Sequence, residues 1–468
     1  MRKELTEYGY VTAIHSLLSM APKVAAGTRK EYEKLLSRMP HFRDLIDSML
    51  GLGDPGVLFL QGFAHYAEMV MDAHKNGKKL AFTTFCQSPV IFHAMDVVPV
   101  VLEVMTVAGT LIRKSAIGEF MDVCIEAGFS ETSCSSQRGS LGAFIAGLAD
   151  KPDFVCINTP GICDTNANSF AFSAAHFGIP FYQLNYPPTL TDERSRAYHR
   201  DDFKNMIAFV EKETGNRLDV DKLRSLMLEM RRQDEMICEI QDLQRLIPNP
   251  VPGIYNLFIY ALRFTLGGLP ECTELLTAML KKAKENAKAG LSGLTGGVEK
   301  KRCLFVYIDH YAANLPLFNF LDKHGITHLG GILDRFYQDE AFYSHGQGYR
   351  LETADLDQMI DSLAMQNSRL PMVKQIRGPY DSPEMWLEEV TRLAKELSAD
   401  FTIYSGTPGC RNTWGMVKLL ASDLEKSGYP THIIASDAFD DRVESWEATA
   451  HRLAEFFELR NIVPPVAV

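Results

Sequence analysis

Long hydrophobic runs are missing from this chain. No uninterrupted apolar stretch approaches the roughly 18 residues that a membrane-spanning helix needs. The N-terminus, MRKELTEYGY, turns polar again within a few residues and lacks an apolar h-region, so no secretory signal is expected. Positive charge is also in deficit. Lys and Arg number 48 against 59 Asp and Glu, a net charge of −11. That balance argues against nucleic acid as the main partner, because a phosphate backbone demands a basic footprint. It leaves room for a small anion held by a local arginine or a helix N-terminus. Close Cys-x-x-Cys pairs are absent, which excludes a local zinc knuckle. There is no P-loop, and GLTGGVEKK is only a weak Gly-rich match placed in a linker. These absences predict a cytoplasmic protein. In that compartment the nine cysteines stay reduced and serve as buried thiols or metal ligands rather than disulfides.

What is present is apolar mass enough for more than one core: 46% of 468 residues are hydrophobic, so two or three domains are expected. Residues 1–75 read as a helical region, with helical spacing in TRKEYEKLLSRMPHFRDLIDSMLGL and in VLFLQGFAHYAEMVMDAHKNG. Residues 76–192 read as a first α/β domain. Strands KKLAFTTFC, VVPVVLEVM, DFVCIN and GIPFYQLNYPP alternate with helices, and Pro89 opens one of those helices. Strand signals vanish over 193–298, where long amphipathic helices precede the Gly-rich linker KAGLSGLTGGVEKK. Residues 299–468 form a second alternating block, with strands KRCLFVYID, ITHLGGIL, DFTIYSG and PTHIIASD. The fold class is therefore α/β: two doubly wound parallel-sheet domains of flavodoxin/Rossmann-like type, an N-terminal helical region and a helical connecting segment. The two α/β blocks are candidates for pseudo-duplicates.

Ligands of open α/β sheets sit beyond the carboxyl ends of the strands, and this rule sorts the cysteines. Cys156 and Cys303 lie within strands, and Cys124 and Cys238 on helices; these read as small buried hydrophobes. Cys272 begins a helix and takes no role. Cys163 in NTPGICDTN and Cys410 in YSGTPGCRNTWG each follow a strand, Cys134 in ETSCSSQRGS precedes a helix, and Cys86 follows the first strand in TTFCQSP. Helix N-termini favour thiolate, the species that binds metal. Thiolates drawn from distant loops suit an iron–sulfur cluster held between domains; on the residues alone zinc fits as well, and so does a redox-silent binding module.

Four segments carry a resemblance to the 2-hydroxyacyl-CoA dehydratase / benzoyl-CoA reductase family, the 2-hydroxyglutaryl-CoA dehydratase D-component type. They are SPVIFHAMDVVPVVLE, CSSQRGSLG, KPDFVCINTPGICDT and GCRNTWGMVKLLASDLEKSGYPTHIIASDAFDDR. The likeness spans about residues 80–190 and 300–460. It implies a [4Fe–4S] cluster on Cys134, Cys163 and Cys410, with the fourth iron left for water or a thioester oxygen. It also implies a cytoplasmic, anaerobic enzyme with a homologous second subunit, an ATP-dependent iron–sulfur activator and an acyl-CoA or aryl-CoA substrate. The implied reaction is dehydration of a 2-hydroxyacyl-CoA through a ketyl radical. The alternatives are aryl-CoA ring reduction, or an electron-relay subunit without its own substrate site. Arg138 and Arg411, beside two of these cysteines, are candidates to steady CoA phosphates or cluster charge, and Ser88 and Ser135 to touch substrate. Asp437, Asp441 and Arg442 read as an Asp–Arg pairing that fixes the last loop, and His93 as a satisfied core histidine. Two positions depart from the family pattern: Ile91 stands where a Glu is common, and Ser136 where a Tyr is usual. Cys86 is additional to the pattern and a candidate fourth ligand.

Overall fold

The computed structural model describes residues 9–19, 30, 33, 37, 41–112, 114–159, 163–185, 187, 192–332, 335, 351–367, 384–410 and 414–462. Among the described residues, the helices α1 (Tyr10–Leu18), α2 (His41–Gly51) and α3 (Asp54–Met71) come first. The first α/β unit runs β1 (Lys79–Thr83), α4 (Val90–Ala94), β2 (Val97–Val101), α5 (Leu102–Ile112), α6 (Lys114–Glu126), α7 (Ser135–Ile145), β3 (Phe154–Thr159), α8 (Asp164–Phe177) and β4 (Phe181–Asn185). Four helices connect: α9 (Glu193–Thr214), α10 (Val220–Leu243), α11 (Tyr255–Thr265) and α12 (Pro270–Ala289). The second unit holds β5 (Lys301–Phe305), α13 (Asn314–Lys323), β6 (Ile326–Gly331), α14 (Leu356–Asn367), α15 (Glu384–Glu396), β7 (Phe401–Gly406), α16 (Val417–Lys426), β8 (Thr431–Asp437) and α17 (Trp446–Leu459).

All eight strands anticipated from the sequence form, in two four-stranded sheets ordered β2-β1-β3-β4 and β6-β5-β7-β8, every pairing parallel. Parallel strands are covered on both faces, so their sequences read as apolar runs without alternation; β2 is buried at all five positions. Its central Pro99 has no N–H to give, which suits an edge strand. The edge is closed from α3, where the Tyr66 hydroxyl donates to the Pro99 carbonyl at 2.9 Å and accepts from the Val101 N–H at 3.1 Å.

The two sheets are pinned at the same place by the same chemistry. Asp153, just before β3, accepts from the Leu80 N–H and the Lys79 ammonium, both at 2.8 Å. Asp400, just before β7, accepts from the Arg302 N–H and the Lys301 ammonium, again at 2.8 Å. Matching strand order and matching clamps make the two units structural duplicates.

Helix α11 is buried along its whole length, Asn256 and Arg263 included. Its Tyr260 packs between Phe85, after β1, and Tyr311, after β5, at centroid distances of 5.6 and 6.4 Å. The buried stripe of α10 includes Asp234, whose charge is matched by Arg263 of α11 at 2.8 Å and by the Gln366 amide of α14 at 2.7 Å. Helix α14 has no counterpart among the sequence-based elements. Its Met359, Ile360 and Leu363 share a core cluster with Ala81 of β1, Phe154 of β3 and α4, so a segment from the second half covers the first sheet. Among the described residues no helix is long and apolar enough to cross a membrane.

Candidate functional site

The carboxyl ends of both sheets open toward each other where the loops bearing Cys134 and Cys410 meet. Gly409 has no room for a side chain, because a Cβ there would collide with the Thr132 carbonyl oxygen. Ser135 of α7 donates to Asp437 at the end of β8 at 2.5 Å, and Arg442 reaches Asp122 of α6 at 2.9 Å. Three contacts thus clasp the lobes around one point.

Cys134 is the N-cap of α7 and Cys163 the N-cap of α8. Helix α7 approaches its neighbours closely because its glycines allow it: at Gly142 a Cβ would collide with the Phe120 carbonyl of α6. Neither N-cap sulfur accepts a backbone hydrogen bond from the first turn of its helix, though the nearby backbone of Ser136 and of Asn166 favours the thiolate of Cys134 and Cys163 respectively. Cys410 sits in the turn after β7, its N–H donating to the Thr407 carbonyl at 2.9 Å. Burial pushes the Cys134 thiol up to about 12, and the charge on Cys410 adds to the shift. Burial also raises Cys163 well above the ordinary thiol value, with Cys410, Cys86 and Cys134 contributing. Tyr307, after β5, is raised well above the ordinary phenol value by burial, then by the charges on Cys410, Cys134 and Cys163. The charges of the three half-buried thiols therefore bear on one another and on one phenol, and Cys134 and Cys410 both contact Thr407. Among the described residues no three His, Cys, Asp or Glu side chains meet closely enough to form a metal-ligand group. The sulfurs are neighbours rather than a closed ligand set.

Behind Cys163 lies a buried polar network that the sequence did not disclose. Glu103, in the first turn of α5, accepts from Thr84 at 3.0 Å and from Gln137 at 3.1 Å through Oε1, while its buried Oε2 has no hydrogen-bond partner among the described residues. Gln137 and Asn166, also bonded to each other, sit one turn into the helices that Cys134 and Cys163 cap. Asn166 donates to Thr84 at 3.2 Å and approaches the Cys86 sulfur at 3.6 Å. Burial raises the Glu103 carboxyl to about 7. Cys86 is fully buried and raised well above the ordinary thiol value by burial and by the Glu103 charge.

The other anticipated residues are spread more widely. Ser88 turns its hydroxyl to the Met230 sulfur at 3.2 Å and its N–H to Asn367 at 3.1 Å. Arg138 is buried and donates to the Ser133 carbonyl at 3.0 Å, bracing the loop that carries Cys134. Arg411 lies outside the described residues. His93 is buried, and its Nε2 meets the Thr265 carbonyl at 3.0 Å, as a satisfied core histidine does. In the last loop Arg442 pairs with Asp440, at 2.9 and 2.8 Å, and with Asp122, where the sequence suggested Asp437 or Asp441. Asp437 instead caps its turn, accepting from the N–H groups of Phe439 and Asp440. One available sequence signal was overlooked: TPGIC at 159–163 and TPGC at 407–410 follow equivalent strands, β3 and β7, of the two units.

Fold and site together define a two-lobed α/β protein with thiols gathered beyond the carboxyl ends of both sheets. Residues 86–459 match the family model described as 2-hydroxyglutaryl-CoA dehydratase, D-component. The chain belongs to that family, which supplies a component of 2-hydroxyacyl-CoA dehydratase-type enzymes and works beside a partner subunit. No curated protein matches the chain.

Proposed function

We propose that the chain is the iron–sulfur subunit of an ATP-activated 2-hydroxyacyl-CoA dehydratase. In this reading Cys134, Cys163 and Cys410 hold a [4Fe–4S] cluster, a homologous subunit is the permanent partner, and an ATP-dependent iron–sulfur activator is the electron donor. The observation that carries the reading is the mutual proximity of three thiols drawn from both lobes. Its donor chemistry suits such a cluster: soft sulfurs, two of them at helix N-termini, and a burial cost that iron's positive charge offsets. When bound, the cluster would supply one low-potential electron and a Lewis-acidic iron for the thioester oxygen. The protein's own part is to exclude water, to set two of the sulfurs at helix N-termini, and to offer Glu103 as a carboxyl that takes or gives a proton at Oε2 near neutral pH.

A second reading, an electron-relay subunit without its own substrate site, draws support from Ser88, Ser135 and Arg138, whose polar atoms are spent inside the protein. Anaerobic purification with iron and sulfide analysis and EPR tests the first reading. Wild type is expected to carry about four irons per chain, the composition of the cluster class, with iron lost in Cys134→Ser, Cys163→Ser and Cys410→Ser. Full iron in all three variants, or a colourless wild type, overturns it. Turnover of a 2-hydroxyacyl-CoA by the reconstituted complex, retained or lost in Glu103→Gln, separates dehydratase from relay.

A further inference from the structure

Cys134 differs from its two neighbours in what surrounds its sulfur. The Ser136 hydroxyl lies 2.9 Å away, two residues along the same helix start. The Thr407 hydroxyl lies 3.9 Å away, carried by the turn after β7 in the other lobe. Both residues are buried, at 7% and 3% exposure, so neither hydroxyl is competed for by bulk water. Among the described residues no side-chain hydroxyl contacts the sulfur of Cys163 or Cys410.

We infer that Ser136 and Thr407 are positioning residues that donate O–H hydrogen bonds to the Cys134 thiolate, one from each lobe, and so raise the reduction potential of the group that Cys134 ligates. The inference rests on the cluster reading above. Hydrogen bonds to a ligating sulfur withdraw electron density from it and favour the reduced, more negative state of the cluster. Each hydroxyl brings one hydrogen, and the thiolate has lone pairs for both. Because one donor comes from each lobe, the potential depends on the lobes staying clasped.

The test is an anaerobic EPR-monitored redox titration of the full-length, iron-loaded protein, with iron and sulfide measured on the same samples. Ser136→Ala, Ser136→Tyr and Thr407→Val are each expected to shift the midpoint to more negative potential at unchanged iron content. Ser136→Thr and Thr407→Ser, which keep the hydroxyl, are expected to restore it. A wild-type midpoint in both Ser136→Ala and Thr407→Val with full iron overturns the inference and leaves the cluster reading standing. Absence of iron from wild type overturns both. Should one variant fail to fold, the other carries the test, since the two hydroxyls sit on different lobes.

Discussion

Glu103 is a carboxylate held where a carboxylate is expensive. Burial favours its neutral form, moving it from an ordinary 4.5 to about 7. The folded state therefore keeps this proton longer than the unfolded chain does. The stability it contributes is fully present below about pH 4.5 and is lost as pH rises through 7, a change of about 3 kcal/mol. Glu103→Gln keeps an oxygen for Thr84 and Gln137 without the charge. Its denaturant midpoint is expected to exceed that of wild type at pH 8 and to converge with it at pH 5; parallel pH profiles would refute the buried carboxyl. This residue was illegible in VVPVVLEVM because an apolar run of that length cannot be divided between strand and helix by periodicity. The chain turns helical at Leu102, and that places Glu103 at the carboxyl end of the sheet. The cysteines were legible because strand ends locate loops, and loops at the carboxyl ends of parallel strands converge.

Between elements, close approach and buried charge decide the cost of a change. Gly409→Ala places a Cβ against the Thr132 carbonyl and is expected to cost about 1–3 kcal/mol. The same change at Gly296, which faces open space, should be close to neutral. Thermal melts of the pair measure this, and equal melts would remove the clasp between the cysteine loops. Asp234→Ala strands the Arg263 charge among α10, α11 and α14 and is expected to cost about 3–5 kcal/mol, whereas replacing both partners with apolar residues should cost much less. Urea unfolding of the single and double variants distinguishes the two. Helix α14 escaped the sequence reading because its burial partners lie in the other half of the chain. Local pattern shows that a face is apolar but does not name its partner.

At the scale of the whole molecule, the halves interlock rather than simply adjoin. Leu351, Met359, Ile360 and Leu363 cover the first sheet, and Arg200 of α9 grips Asp361 of α14 at 2.8 and 2.6 Å. Residues 1–298 expressed alone are expected to aggregate, and co-expression with 299–468 as a separate chain to restore solubility. A cooperative melt of soluble 1–298 would sink this view. That the sheets are parallel was foreseeable, since alternating strands and helices force crossover connections; their strand order and the threading of one half over the other were not, because no short-range signal encodes them. Asp153 and Asp400 fasten their sheets through the same kinds of atoms, and a Thr-Pro-Gly sequence stands at the carboxyl end of both β3 and β7. Such matching is what fusion of an ancestral unit with its own copy would leave. As a homodimer, such an ancestor would have faced one sulfur-bearing turn with another before any fusion occurred, and fusion then freed each copy to specialise around a pre-existing meeting point.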